Sequence, residues 1–169
     1  MILLKLAFLI IILKCLWIGV KYLLLLHAKS NADKAMFEVC NKLIQQYDAI
    51  LSLFSQFHVL SLENRTLVQN TKKLIAKAQD FTPENDRNEM IIAYANSILE
   101  NVKKFTDSII EKEPENEYIK KYNYMLAVYT KSRDDYNASA RKLRHYVDVF
   151  PTSLFARFER ISMMDYLND

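Results

Sequence analysis

One glycine in a chain of 169 residues is the feature that most narrows what this protein can fold into, and that glycine is Gly19, inside an apolar N-terminal run. Tight hairpins depend on residues that accept positive φ, chiefly glycine, so a chain without them past residue 19 is poorly equipped to reverse direction between many strands. Three prolines, Pro83, Pro114 and Pro151, are the remaining strong punctuation. They predict long uninterrupted helices separated by a few breaks, hence an all-α fold. The length suits one domain of ordinary size with a small appendage.

Residues Ile2 to Val20 are apolar apart from Lys5 and Lys14, and apolar character resumes from Tyr22 to Leu26. That length crosses a bilayer core. Lys14 opposes insertion by roughly 2.5–3.5 kcal/mol, whereas each Leu, Ile, Phe or Val contributes about −0.3 to −0.6. Thirteen such residues from Ile2 to Val20 supply roughly −4 to −8 kcal/mol, so insertion wins. Lys5 and Lys21 are placed to snorkel to opposite faces, and Trp17 and Tyr22 suit an interfacial belt. A cleaved signal peptide is the competing reading. It is disfavoured because the apolar run is long and Leu26-His27-Ala28 makes a poor small-residue cleavage site. Cys15 also lacks the small residues that precede a lipidated bacterial cysteine, since Ile12, Leu13 and Lys14 stand there. Residues 1–27 are therefore expected to be a transmembrane anchor and 28–169 a helical domain. Lys21, Lys29, Lys34 and Lys42 follow the span while Lys5 and the α-amino group precede it, which favours a single-pass protein of the cell's inner membrane with its C-terminal domain in the cytoplasm.

The net charge is +3, but Lys5, Lys14 and Lys21 precede the first acidic residue, Asp33, and beyond residue 21 twenty basic side chains face twenty acidic ones. A nucleic-acid binder concentrates basic charge on its soluble domain, so nucleic acid is not an expected partner.

Four apolar seams follow. Met36, Cys40, Leu43, Tyr47, Ile50, Phe54 and Phe57 alternate steps of four and three, the period of one helix face. Leu60, Leu67, Leu74 and Ala78 continue the rule, with Asn64 and Thr71 between them, and Ser61 is placed to cap that second helix. After Pro83 a third seam runs through Ile91, Ala95, Ile98, Val102, Phe105 and Ile109. The last takes in Tyr118, Tyr122, Met125, Tyr129, Ser132, Tyr136, Ser139, Leu143, Tyr146 and Phe150, closing at Pro151, and Thr152 or Ser153 opens a short terminal helix. From Asn116 to Val149 that helix measures roughly 50 Å, against about 33 Å for Met36 to Phe57. It needs a longer partner. Nothing between His27 and Lys34 breaks a helix, so the spanning helix is expected to continue directly into the first bundle helix. Short connections then imply an elongated antiparallel four-helix bundle standing on the membrane.

The stretch SRDDYNASARKLRHYVDVFPTSLFARF resembles the closing signature of the LemA family, membrane-anchored bacterial proteins with a helical-bundle domain. There an arginine precedes a Tyr-Asn pair, and a Phe-Pro turn is followed by Leu-x-Ala. Here these are Arg133, Tyr136, Asn137, Phe150, Pro151, Leu154 and Ala156. IIEKEPEN is similar to the family's Glu-x-x-Pro connection at Glu111 and Pro114. QQYDAILSLFSQFHVLSLEN is similar to its first-helix motif at Asp48, Ile50, Leu53 and Glu63, but Gln45 and Gln46 replace the usual paired arginines, Leu51-Ser52 replaces Pro-Asn, and Glu63 sits about one residue early. The chain thus looks like a divergent member, and the resemblance implies an N-out, C-in protein whose bundle is LemA-like.

No constellation for chemistry emerges. His27, His58 and His145 are scattered, Cys15 and Cys40 belong to no metal-ligand spacing, and the inward Glu and Glu-x-x-His pattern of a di-metal bundle is absent. Glu111 and Glu113, Glu115 and Glu117, and Asp134 and Asp135 lie in polar settings where solvated charge is the simpler reading. A phosphate-cradling glycine loop has no glycines to form it. No catalytic residue, metal or cofactor is expected, and the chain is read as a non-enzyme. Arg133 and Asn137 flank the seam as a register-fixing polar pair or a partner-binding patch, and Lys131, Arg133, Arg141, Lys142 and Arg144 form a basic stretch suited to anionic lipid or an acidic partner. The expected role is a scaffold or protein-interaction module at the bilayer, with other membrane or membrane-proximal proteins as partners. The alternative is a sensor in which Lys14 couples an intramembrane partner to the bundle.

Overall fold

The computed structural model describes residues 2–57, 61–81, 88–110, 116–161, 163–164 and 166–167. Among the described residues five helices occur, α1 Ile2–Gln56, α2 Leu62–Ala78, α3 Asn88–Ile110, α4 Glu117–Asp148 and α5 Thr152–Phe158, and no strand is found. The expected continuity across His27 to Lys34 holds, since α1 runs through it unbroken. Pro83 and Pro114 lie outside the described residues, and local chemistry marks the helix starts that are described. Ser61 caps α2, its hydroxyl accepting the Asn64 amide at 3.2 Å. Asn116 does the same for α4, its side-chain carbonyl accepting the amides of Tyr118 and Ile119. Both satisfy backbone donors that a helix start otherwise leaves unpaired.

Contacts divide the chain into two compact units, one of Met1–Ala35 with Asn137–Tyr166, the other of Met36–Tyr136 with Leu167–Asp169. In the first, Leu25, Ala28 and Ala32 of α1 cluster with Leu143 of α4, Ala156 of α5 and Ile161, and Phe155 and Tyr146 pack against them. The α5 helix ends in a Schellman turn. The Ile161 amide donates to the Ala156 carbonyl at 2.8 Å, the Arg160 amide donates to the Arg157 carbonyl at 3.3 Å, and Arg160 takes φ 51. Glycine usually fills that left-handed position.

In the second unit the sequence seams become the core. Met36, Cys40, Leu43, Tyr47, Ile50 and Phe54 of α1 are buried, as are Ile91, Ala95, Ile98, Val102, Phe105 and Ile109 of α3, and Tyr122, Tyr129, Ser132 and Tyr136 of α4. Phe105 is the aromatic centre, meeting Phe54 at 4.9 Å and Phe57 at 5.8 Å, both edge to face. The α2 and α3 helices pack together, and Asn64 donates to the Ser108 hydroxyl at 3.0 Å.

Two expectations need correction. The inward residues of α2 are Val68, Thr71, Ile75 and Ala78, with Leu67 and Leu74 only half-buried at the margin. Thr71 and Ala78 face inward as expected, and the two adjacent apolar pairs, Leu67-Val68 and Leu74-Ile75, let the face turn by about half a residue, roughly 50° around the helix, so that the second member of each pair points inward. Phe150 is not a seam residue: it is 71% exposed, because α4 stops at Asp148 and the chain turns before Pro151.

Candidate functional site

The sequence singled out the N-terminal run, and that segment behaves differently from the rest of α1. Leu6, Phe8 to Leu13, Leu16 to Ile18 and Val20 are all exposed, with no buried stripe among them. A helix that is apolar on every face is stable only where something apolar surrounds it. The other described residues of the chain do not cover this one. It is the one helix among the described residues long and apolar enough to cross a membrane. Lys5 and Lys14 lie exposed along it, and Lys21 sits 5.8 Å over the ring of Trp17.

Tyr22 marks the level at which α1 begins to touch protein. Its ring meets Phe155 edge to face at 5.2 Å, and its hydroxyl donates to the Glu159 carboxylate at 2.8 Å. One turn further on, α1 and α4 enclose a cleft of about 220 Å³ lined by Leu24, His27, Ala28, Asn31, Ser139, Lys142 and Tyr146. The spacing explains the lining: Leu24, Ala28 and Asn31 share one face, as do Ser139, Lys142 and Tyr146. Polar side chains (His27, Asn31, Ser139, Lys142 and Tyr146) line it beside Leu24 and Ala28, with Lys142 its charged group, and the cleft suits a polar group.

Charge is partitioned in a way the linear count conceals. Beyond residue 21 the first unit holds seven Lys and Arg against four Asp and Glu, whereas the second holds thirteen against sixteen. The even balance of the sequence is therefore an excess of three basic residues in the unit that carries the apolar segment. Such an excess favours an anionic surface.

The second unit holds a buried polar layer. Gln46, fully buried, donates from Nε2 to the Tyr122 carbonyl at 3.5 Å, and its Oε1 and the Tyr129 hydroxyl have no partner among the described residues. Tyr47 and Tyr129 lie beside Cys40, and the Arg133 side chain, 16% exposed, reaches to 3.8 Å from Asp134. Burial pushes the Cys40 thiol up to about 11 and Tyr122 up to about 12, and raises Tyr47 and Tyr129. At neutral pH Cys40 is a thiol and not a nucleophile, and the phenols are donors that do not titrate. Among the described residues no three His, Cys, Asp or Glu side chains gather into a metal cluster.

These shifts fix a pH dependence. The folded chain holds protons on Cys40 and Tyr122 at a pH where the unfolded chain has released them, so stability is level below about pH 9 and falls as pH rises through 11 to 12. Urea midpoints followed by circular dichroism should be markedly lower at pH 11 than at pH 8, with an upper bound on the order of 2–3 kcal/mol per titrated group. Equal midpoints would contradict the buried layer.

The residues carried by the LemA resemblance fall in both units. Asp48 and Glu63 are exposed, and the Asp48 carbonyl accepts the Ser52 hydroxyl at 2.8 Å. Tyr136 is fully buried, and Asn137, half-buried, offers its carbonyl to Arg141 at 3.3 Å. Pro151 and Ala156 are buried while Leu154 is exposed. Glu111 and Pro114 lie outside the described residues, as does His58. The cleft residues His27, Asn31, Ser139 and Tyr146 were not assembled from sequence, because a three-or-four spacing on two segments over a hundred residues apart does not say that the segments meet. Against protein-family models, curated proteins and solved structures, the chain finds no match.

Proposed function

We propose that this protein is a single-pass membrane scaffold, a divergent LemA-like chain whose helical domain presents binding surfaces beside the bilayer. The observation that carries the reading is the all-round exposure of apolar side chains from Leu6 to Val20, on a helix that then packs its next turns into protein. Water is the wrong solvent for the first part and the right one for the rest of the chain. The four seams, three of them buried nearly as their spacing requires, support an antiparallel four-helix bundle of α1 to α4. The lysines that follow the span support a cytoplasmic C-terminal domain at the inner membrane. The basic excess of the first unit, and Lys142 in its cleft, support attraction to anionic lipid or to acidic segments of membrane-proximal proteins. Binding is the mode this reading assigns, since the buried thiol and phenols do not titrate near neutrality.

Crosslinking in intact membranes, followed by identification of the captured proteins, tests the scaffold reading. Recurrent membrane-proximal partners are the expected result, and their absence counts against it. Lys14→Leu separates scaffold from sensor. A scaffold keeps its membrane partition and its captured partners, whereas a chain that engages an intramembrane partner through Lys14 loses that partner from the pull-down.

A further inference from the structure

Four large apolar side chains stand exposed within ten residues of the first unit: Val149, Phe150, Leu154 and Phe158. They are not scattered. Leu154 and Phe158 are four apart on α5 and share its outer face, at 46% and 85% exposure, while Phe155 and Ala156 turn inward to the cluster under α5. Arg157 and Arg160 are exposed beside them. The result is a short helix with an apolar outer face and a basic margin, the composition of segments that lie in a bilayer interface.

Its position says what covers that face. About twenty helical residues cross the hydrocarbon core, so a span ending at Tyr22 begins near Leu3 and leaves Tyr22 at the boundary between acyl chains and headgroups. Phe155 and Glu159 are held against Tyr22 itself, by the edge-to-face ring contact and by the hydroxyl-to-carboxylate bond. The α5 helix is thereby tied to α1 at interfacial depth. Glu159, the acidic residue between Arg157 and Arg160, is engaged by Tyr22.

We infer that α5 is a second membrane contact, an interfacial helix that sets Leu154 and Phe158 into the acyl–headgroup boundary with Arg157 and Arg160 toward lipid phosphate. The inference rests on the reading of residues 3–22 as the membrane span. It adds a docking element that fixes how the first unit meets the bilayer, where a span alone would leave it free to swivel.

The protein's one tryptophan, Trp17, makes the two readings separable. Full-length protein is reconstituted in vesicles of phosphatidylcholine and phosphatidylglycerol, with and without acyl chains brominated near the headgroup. In the native chain Trp17 reports the span. In Phe158→Trp combined with Trp17→Phe, the new indole reports α5; the position is exposed, so the fold has no stake in it, and Leu154→Trp in the same background is the second reporter. Both reporters should show blue-shifted emission, lose about half or more of it to brominated lipid, and resist iodide several-fold better than free tryptophan. If Trp17 is quenched by lipid while both α5 reporters are quenched by iodide, the span stands and the inference falls. If no reporter responds to lipid, both fall. α5 reporters shielded from iodide and lipid alike would mark a face between copies of the chain, which also overturns it.

Discussion

Phe105→Ala should cost the protein roughly 3–5 kcal/mol, the range for deleting a large aromatic from a packed core. The side chain is fully buried on α3, and its ring meets those of Phe54 and Phe57 edge to face, contacts that add about 0.5–1.5 kcal/mol each beyond area. Small domains have about 5–15 kcal/mol in total, so the variant stands near the edge of folding. Urea unfolding of the purified full-length protein, followed at 222 nm, reads the loss directly as a shifted midpoint. Tyr124→Ala is the control, because Tyr124 lies on α4 at 68% exposure and should move stability by less than about 0.5 kcal/mol. Similar losses at both positions would mean that the aromatic centre of the second unit is not where the seams converge.

The double substitution Leu9→Asp with Leu16→Asp should release the protein from the membrane. Both leucines are exposed on the apolar part of α1. Each aspartate near the centre of the span costs roughly 2.5–3.5 kcal/mol and also removes a leucine's contribution. Together they add about 6–8 kcal/mol to a balance in which Lys14 already offsets a good part of the roughly −4 to −8 kcal/mol supplied by the apolar residues. After an alkaline carbonate wash the native chain should stay in the pellet and the variant should move to the supernatant. Retention of the variant would sink the membrane-spanning reading.

The helical architecture was legible because its signals are local. The seam from Met36 to Phe54 and the one from Ile91 to Ile109 match their spacing residue for residue, and Ser61 and Pro151 mark boundaries where cap and turn chemistry put them. Periodicity fails where it offers two equivalent answers, as at Leu67-Val68 and Leu74-Ile75, since either member of each pair completes an apolar face with Thr71 and Ala78. It also fails past a helix end, where Phe150 no longer obeys the spacing that held up to Tyr146. Gln46 stands beside an apolar seam without announcing that it will be buried against the Tyr122 backbone. The candidate site was the least legible part. The Tyr22 to Glu159 bond joins positions 137 residues apart, and the basic excess of the first unit arises only when two distant segments are brought into one body. Neither is encoded in any window of sequence.

The left-handed Arg160 carries a consequence for how the C-terminal segment behaves. An L-residue at that φ costs about 1–2 kcal/mol relative to a right-handed conformation, and a chain so short of glycine has placed an arginine there all the same. What offsets the cost is shared: the Ile161 amide on the Ala156 carbonyl, and the burial of Ile161 beside Leu25 and Leu143. Glu159, one residue earlier, depends on the same turn for its hold on Tyr22. Loosening any one of these relieves the backbone at Arg160 and weakens the others. The helix stop, the hydrophobic plug and the clasp on the anchor therefore form and dissolve as one latch.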